Sequence, residues 1–170
     1  MISLLALFLQ AATPTPVAPW TVVSRPNPDP TIASTVLGAS AVDNNARLVM
    51  RCDVSPKGKF VSIQLFTRTA LGGPPNRPVS LTMDGATPFV GNWEFAEKGA
   101  YVSSDDAVTT LAQAIANAKQ IQIHTTTVAG DAVDVTFAGP GSDAPVKALL
   151  AGCDYKLGVV PVRPKDKKAK

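Results

Sequence analysis

Residues 46–67 read ARLVMRCDVSPKGKFVSIQLFT, and two runs of alternation meet there around a turn. In the first run Leu48, Met50 and Cys52 share one face while Arg47, Val49 and Arg51 share the other; in the second, Val61, Ile63 and Leu65 oppose Ser62 and Gln64. Successive side chains of a strand point to opposite faces, so a period of two marks a half-buried strand. SPKGK between the runs carries the proline and glycine of a turn. The stretch predicts a β-hairpin whose apolar face, Cys52 included, points into a core.

The same reading extends in both directions. WTVVSR (20–25) and TIASTVL (31–37) are rich in β-branched residues, are separated by the turn-forming PNPDP, and predict two strands. LGGPPNRP (71–78) has two glycines and three prolines, which predicts an exposed loop, and PVSLTMDG then aligns Val79, Leu81 and Met83 before a turn at Asp84 and Gly85. FVGNWEFAEKGAYVSS holds one or two short strands. Ser104, Asp105 and Asp106 suit a helix start, and Val108, Leu111, Ala112 and Ile115 recur at helical spacing, predicting a helix over 105–118. KQIQIHTTTV (119–128) and DAVDVTF (131–137) alternate on either side of Gly130 and Asp131, a second hairpin. A last helix, capped by Ser142, carries the apolar line Val146, Leu149, Leu150 and Cys153. The expected fold is an α+β domain over residues 20–155: a mainly antiparallel sheet of six to eight strands with two packed helices, the C-terminal one tied by a disulfide.

The chain has 170 residues, 45% hydrophobic and 17% charged, which suits one folded domain with short appendages. Its net charge of +3 is localised: residues 163–170 carry +4, so the remainder is close to neutral and slightly acidic. A basic face for nucleic acid is therefore not expected, and 156–170 reads as a basic flexible tail. At the other end, Ile2 to Leu9 form an apolar run followed by Ala11, Ala12 and prolines. That order is expected of a signal peptide over 1–12 with a Pro-rich leader over 13–19, though no Lys or Arg precedes the run. The run falls short of the ~20 apolar residues of a membrane span, and no stable span is expected elsewhere. The implied location is periplasmic or secreted.

Cys52 and Cys153 are the two cysteines, each in phase with an apolar face. In an exported chain a disulfide is the natural outcome. Zinc fails on ligand count, since His124 is the sole histidine and no CxxC or CxxH spacing exists. Redox catalysis lacks a thiolate activated at a helix start. Two unbonded core thiols in a cytoplasmic chain are the alternative.

No catalytic, cofactor-binding or metal-ligating set stands out. Any histidine-assisted mechanism must use His124, which lies on the polar side of its strand and has no marked orienting acid. An envelope hydrolase would combine it with scattered aspartates, of which Asp105 with Asp106 and Asp131 with Asp134 are the close pairs. LGGPPNRP is no phosphate loop, since it lacks the GK[ST] ending and opens no helix. Trp20 and Trp93 are core-sized, and either can anchor a contact. Trp93, Asn76 and Arg77 make up the candidate binding surface, which also suits a small-ligand or glycan-binding module.

Four stretches, PWTVVSRP, ARLVMRC, VSLTMDG and FAGPGSDAPVKALLAGC, give the chain a likeness over residues 19–154. In their order it resembles the VasI/TagO-like periplasmic proteins associated with type VI secretion. It departs from that pattern in NPDPT, where adjacent acidic residues are expected, and at Thr82, where an arginine often stands. The resemblance implies an envelope accessory protein that contacts an envelope protein partner, is not an enzyme and uses no cofactor. It supplies no catalytic residues.

Overall fold

The computed structural model describes residues 20–163. The expected signal peptide and leader, and residues 164–170 of the tail, lie outside them. In chain order the elements are β1 (Val23–Arg25), β2 (Ala33–Ser40), β3 (Ala46–Ser55), β4 (Gly58–Thr67), β5 (Arg77–Met83), β6 (Phe89–Ala96), β7 (Gly99–Val102), α1 (Asp105–Ala116), β8 (Gln120–Thr126), β9 (Ala132–Ala138) and α2 (Ala144–Gly152). The strands form one sheet in the order β1-β2-β3-β4-β7-β6-β5-β8-β9, and every neighbouring pair is antiparallel. The α+β class is thus as expected. Nine strands replace the expected six to eight, because residues 89–102 fold back on themselves as two while WTVVSR keeps a strand, of three residues only.

The opening hairpin pairs Leu48 with Leu65, Met50 with Ile63 and Cys52 with Val61, all buried. That row continues across the sheet through Leu37 opposite Met50, and Ala100 opposite both Leu65 and Phe95. On the other limb Leu81, Ile123 and Val135 form a second buried row, and Met83, Ile121 and Phe137 a third. Each large aliphatic side chain so removed from water contributes about 1.5–3 kcal/mol. The sheet is rolled until its ends meet: Val42 N–H donates to the Thr136 carbonyl at 2.9 Å, and the Trp20 indole N–H donates to the Ala138 carbonyl at 2.7 Å. Trp20 is therefore a core residue that closes the roll.

Both helices pack on the apolar face, α2 against β2 and β3 and α1 against β4 and α2. Helix α1 buries Val108, Leu111, Ala112 and Ile115 as their spacing requires, but ends at Ala116 rather than 118. Ser104 takes the N-cap position with extended backbone, yet its hydroxyl makes no capping bond. In α2 the N-cap position falls to Asp143, not Ser142, with no side-chain capping bond, and Pro145 sits in the first turn, where a missing N–H costs nothing. Cys52 and Cys153 are bonded, 5.8 Å apart at Cα and both buried, so the disulfide ties the end of α2 to the central strand β3.

Two expectations about loops and ends are corrected. LGGPPNRP is not simply exposed: Leu71 is fully buried, and Arg77 opens β5 in phase with Val79 and Leu81, so its side chain turns inward. The folded unit also runs past Tyr155. Residues 156–163 are held by a Lys156–Val159 bridge and by Arg163, whose guanidinium binds Asp105 at 2.6 and 2.8 Å and lies over Phe60 at 4.8 Å.

Candidate binding cleft

Strand β6 has two different neighbours. Phe89 to Trp93 pair with β5, whereas only Glu94 to Ala96 pair with β7, because the chain leaves β7 at Val102 and enters α1 at Asp105. The first half of β6 is left without a strand on its second edge. A cleft of about 360 Å³ opens there, between β6 and the N-terminal half of α1. Its walls are mainly apolar, with Leu81, Phe89, Val102, Ala107 and Leu111, and its rim carries Asn92, Ser104 and Asp106.

Trp93 forms the floor and is 1% exposed. A buried indole N–H normally finds an acceptor. Here Nε1 has none among the described residues, yet it is not sealed in, since Asn45 Oδ1 is the one enclosed side-chain polar atom left unpartnered there. The opening is at Gly91, where an added Cβ would lie 3.9 Å from Trp93 Nε1 and meet nothing closer. Phe89 and Val90 beside it are 39% and 68% exposed, large apolar side chains at the mouth.

Of the expected binding surface, only Trp93 belongs to this cleft, as its buried floor rather than an exposed platform. Asn76 is exposed on the 71–76 loop. Arg77 is committed elsewhere: its guanidinium donates to the carbonyls of Leu71, Gly72, Gly73, Pro75 and Thr126 and stacks over Phe95 at 3.8 Å. It organises the loop around itself.

His124 faces solvent, as its strand phase required, but it does have an orienting acid. The β8–β9 register puts Asp134 opposite, with Nδ1 and Oδ1 2.7 Å apart, and Ser80 of β5 stands opposite His124 on the other side. This Ser80–His124–Asp134 row lines a shallow recess of about 250 Å³ with Thr82, Gln122 and Thr136. Ser80 makes no hydrogen bond to His124 among the described residues, and both His124 and Asp134 are more than half exposed. Asp105 and Asp106 divide their work: Asp106 stands on the rim of the cleft, while Asp105 joins Tyr155 and Arg163. The Arg163 guanidinium holds the Asp105 carboxyl below its ordinary range, with Tyr155 adding to the effect and burial opposing it. Burial and the neighbouring carboxylate push the Tyr155 phenol up. A groove of about 760 Å³ beside this cluster runs between residues 57–60 and 161–163.

Among the described residues no three His, Cys, Asp or Glu side chains are grouped to hold a metal ion, and no helix is long and apolar enough to cross a membrane. The chain matches no protein-family model, no curated protein and no solved structure.

Proposed function

We propose that this protein is a non-enzymatic binding or accessory protein of the cell envelope, periplasmic or secreted, that works by contact with an envelope protein partner. The observation that carries the reading is the β6–α1 cleft: an apolar recess with, among the described residues, an open strand edge and an indole N–H that has no acceptor. Concave apolar sites with a few placed polar groups are where ligands and partner side chains bind. The Cys52–Cys153 bond favours an oxidising compartment, and the signal-like leader and the likeness to VasI/TagO-like periplasmic proteins point the same way. A peroxidase fused to the C-terminus and expressed in the native cell tests this. The expected result is labelled envelope proteins enriched over an exported control fusion; no neighbour above that control sinks the reading.

A second reading, an envelope hydrolase, is favoured by the His124–Asp134 contact with Ser80 in the same row. It ranks lower because Ser80 makes no hydrogen bond to His124 among the described residues and the row lies on an open strand face, with His124 and Asp134 both more than half exposed. A folded His124→Ala chain that lost a measured hydrolytic activity would reverse that order.

A further inference from the structure

Antiparallel strands turn the backbone bonds of alternate residues toward alternate neighbours. Pro78 of β5 has no N–H and stands opposite Asn92, so the bonded pairs of that ladder are Arg77 with Trp93, Val79 with Gly91, and Leu81 with Phe89. Val90 and Asn92 therefore direct their N–H and C=O groups the other way, toward the edge where β7 has already ended. Among the described residues neither has a backbone partner on that side. Beside the same edge lie the unpartnered Trp93 indole, the space over Gly91, and Asp106, a rim carboxylate with no ion pair among the described residues.

We propose that this edge takes an extended peptide segment of a partner protein by strand addition, antiparallel to β6 and in line with β7. The proposal rests on the contact-acting reading above and names the mode of contact. Two pairs to Val90 and Asn92 hold the peptide backbone. Its residue opposite Gly91 falls in a non-bonded pair, where side chains approach most closely, and glycine leaves the room for an apolar side chain to enter the cleft against Trp93. The indole N–H donates to a peptide oxygen. Asp106 selects a Lys or Arg at a neighbouring inward position, so the partner segment is apolar and basic rather than acidic.

The test is binding of a terminally blocked pentapeptide, Thr-Leu-Thr-Lys-Thr, whose first residue falls opposite Asn92 because β7 already fills the place opposite Glu94 and ends at Val102, to the whole protein, read by tryptophan fluorescence and calorimetry. Two control peptides accompany it, one with proline in place of the two threonines that flank leucine and one with aspartate in place of leucine. The expected result is saturable binding of the leucine peptide, weakened about tenfold or more by either control. Gly91→Ala, whose Cβ would lie 3.9 Å from Trp93 Nε1 and take up the room over the indole, is expected to weaken binding to a similar degree with an unchanged melting temperature. Asn92→Pro, which removes an edge donor without removing a β5 bond, gives an independent check. No binding at about 1 mM peptide, equal binding of the proline control, or indifference to both variants overturns the proposal. Such a failure leaves the envelope reading standing on the labelling experiment, which does not depend on β6.

Discussion

Replacing Cys52 and Cys153 together by alanine is expected to lower the unfolding free energy by about 4–5 kcal/mol in the chain-entropy estimate, and the melting temperature by roughly 10–20 °C. The bond spans a separation of 101 residues, and it is long loops of this kind, here everything from β3 to the end of α2, in which a cross-link restrains the unfolded chain most. Its local role adds to this, since α2 is a nine-residue helix without a side-chain cap bond, and the disulfide fixes its end to β3. Isolated helices of that length are not stable in water. Thermal and denaturant unfolding of the double variant beside the oxidised protein is the measurement. A loss below about 1 kcal/mol would mean that packing alone holds α2.

Arg77→Ala is expected to cost about 3–4 kcal/mol, with Arg77→Lys recovering less than half of it. The guanidinium satisfies five backbone carbonyls, four of them from the 71–75 loop, and no carboxylate pairs with it among the described residues. Charge-assisted bonds of this kind are worth about 1.5–3 kcal/mol each in favourable cases, and deleting the donor takes the guanidinium from the part-buried carbonyls of Gly72, Gly73 and Thr126, while Leu71 keeps its bond from the Val128 N–H. Lysine offers one compact ammonium with three donors, so it cannot reproduce the planar fork. The loop carries Leu71 into the core and joins it to Glu97 and Val128 through backbone bonds, so its loss should also disturb the β6 and β8 ends. Urea unfolding and near-ultraviolet circular dichroism report both effects. A lysine variant as stable as the parent would show that the carbonyl cage is satisfied by water instead.

Much of the fold was legible because single-strand phase is a local property. Alternation in 46–67 placed Cys52 inward and helical spacing placed Cys153 on the same core, which put the bond within reach but left two free core thiols as the alternative. Arg77 shows the limit of reading composition before phase: proline and glycine around it suggested an exposed loop, although position 77 is in step with Val79, Leu81 and Met83. Asp134 was legible in principle too. Closing the β8–β9 hairpin at Thr126 and Ala132 sets 124 opposite 134. The cleft was not legible, since it depends on the strand order β4-β7-β6-β5 and on where β7 stops, both set by long-range packing. The Arg163 clasp likewise needs the start of α1 and the β3–β4 turn to be neighbours, which no local pattern encodes.

We propose that this domain works outside the cytoplasm as a disulfide-closed binding protein. The measurement that tests it most directly is the intact mass of the protein isolated from its own cells after thiol alkylation without reductant. The account predicts a chain shortened at its N-terminus with no alkyl groups added. A full-length chain carrying two alkyl groups would contradict it, since the protein would then be an unprocessed one with Cys52 and Cys153 free.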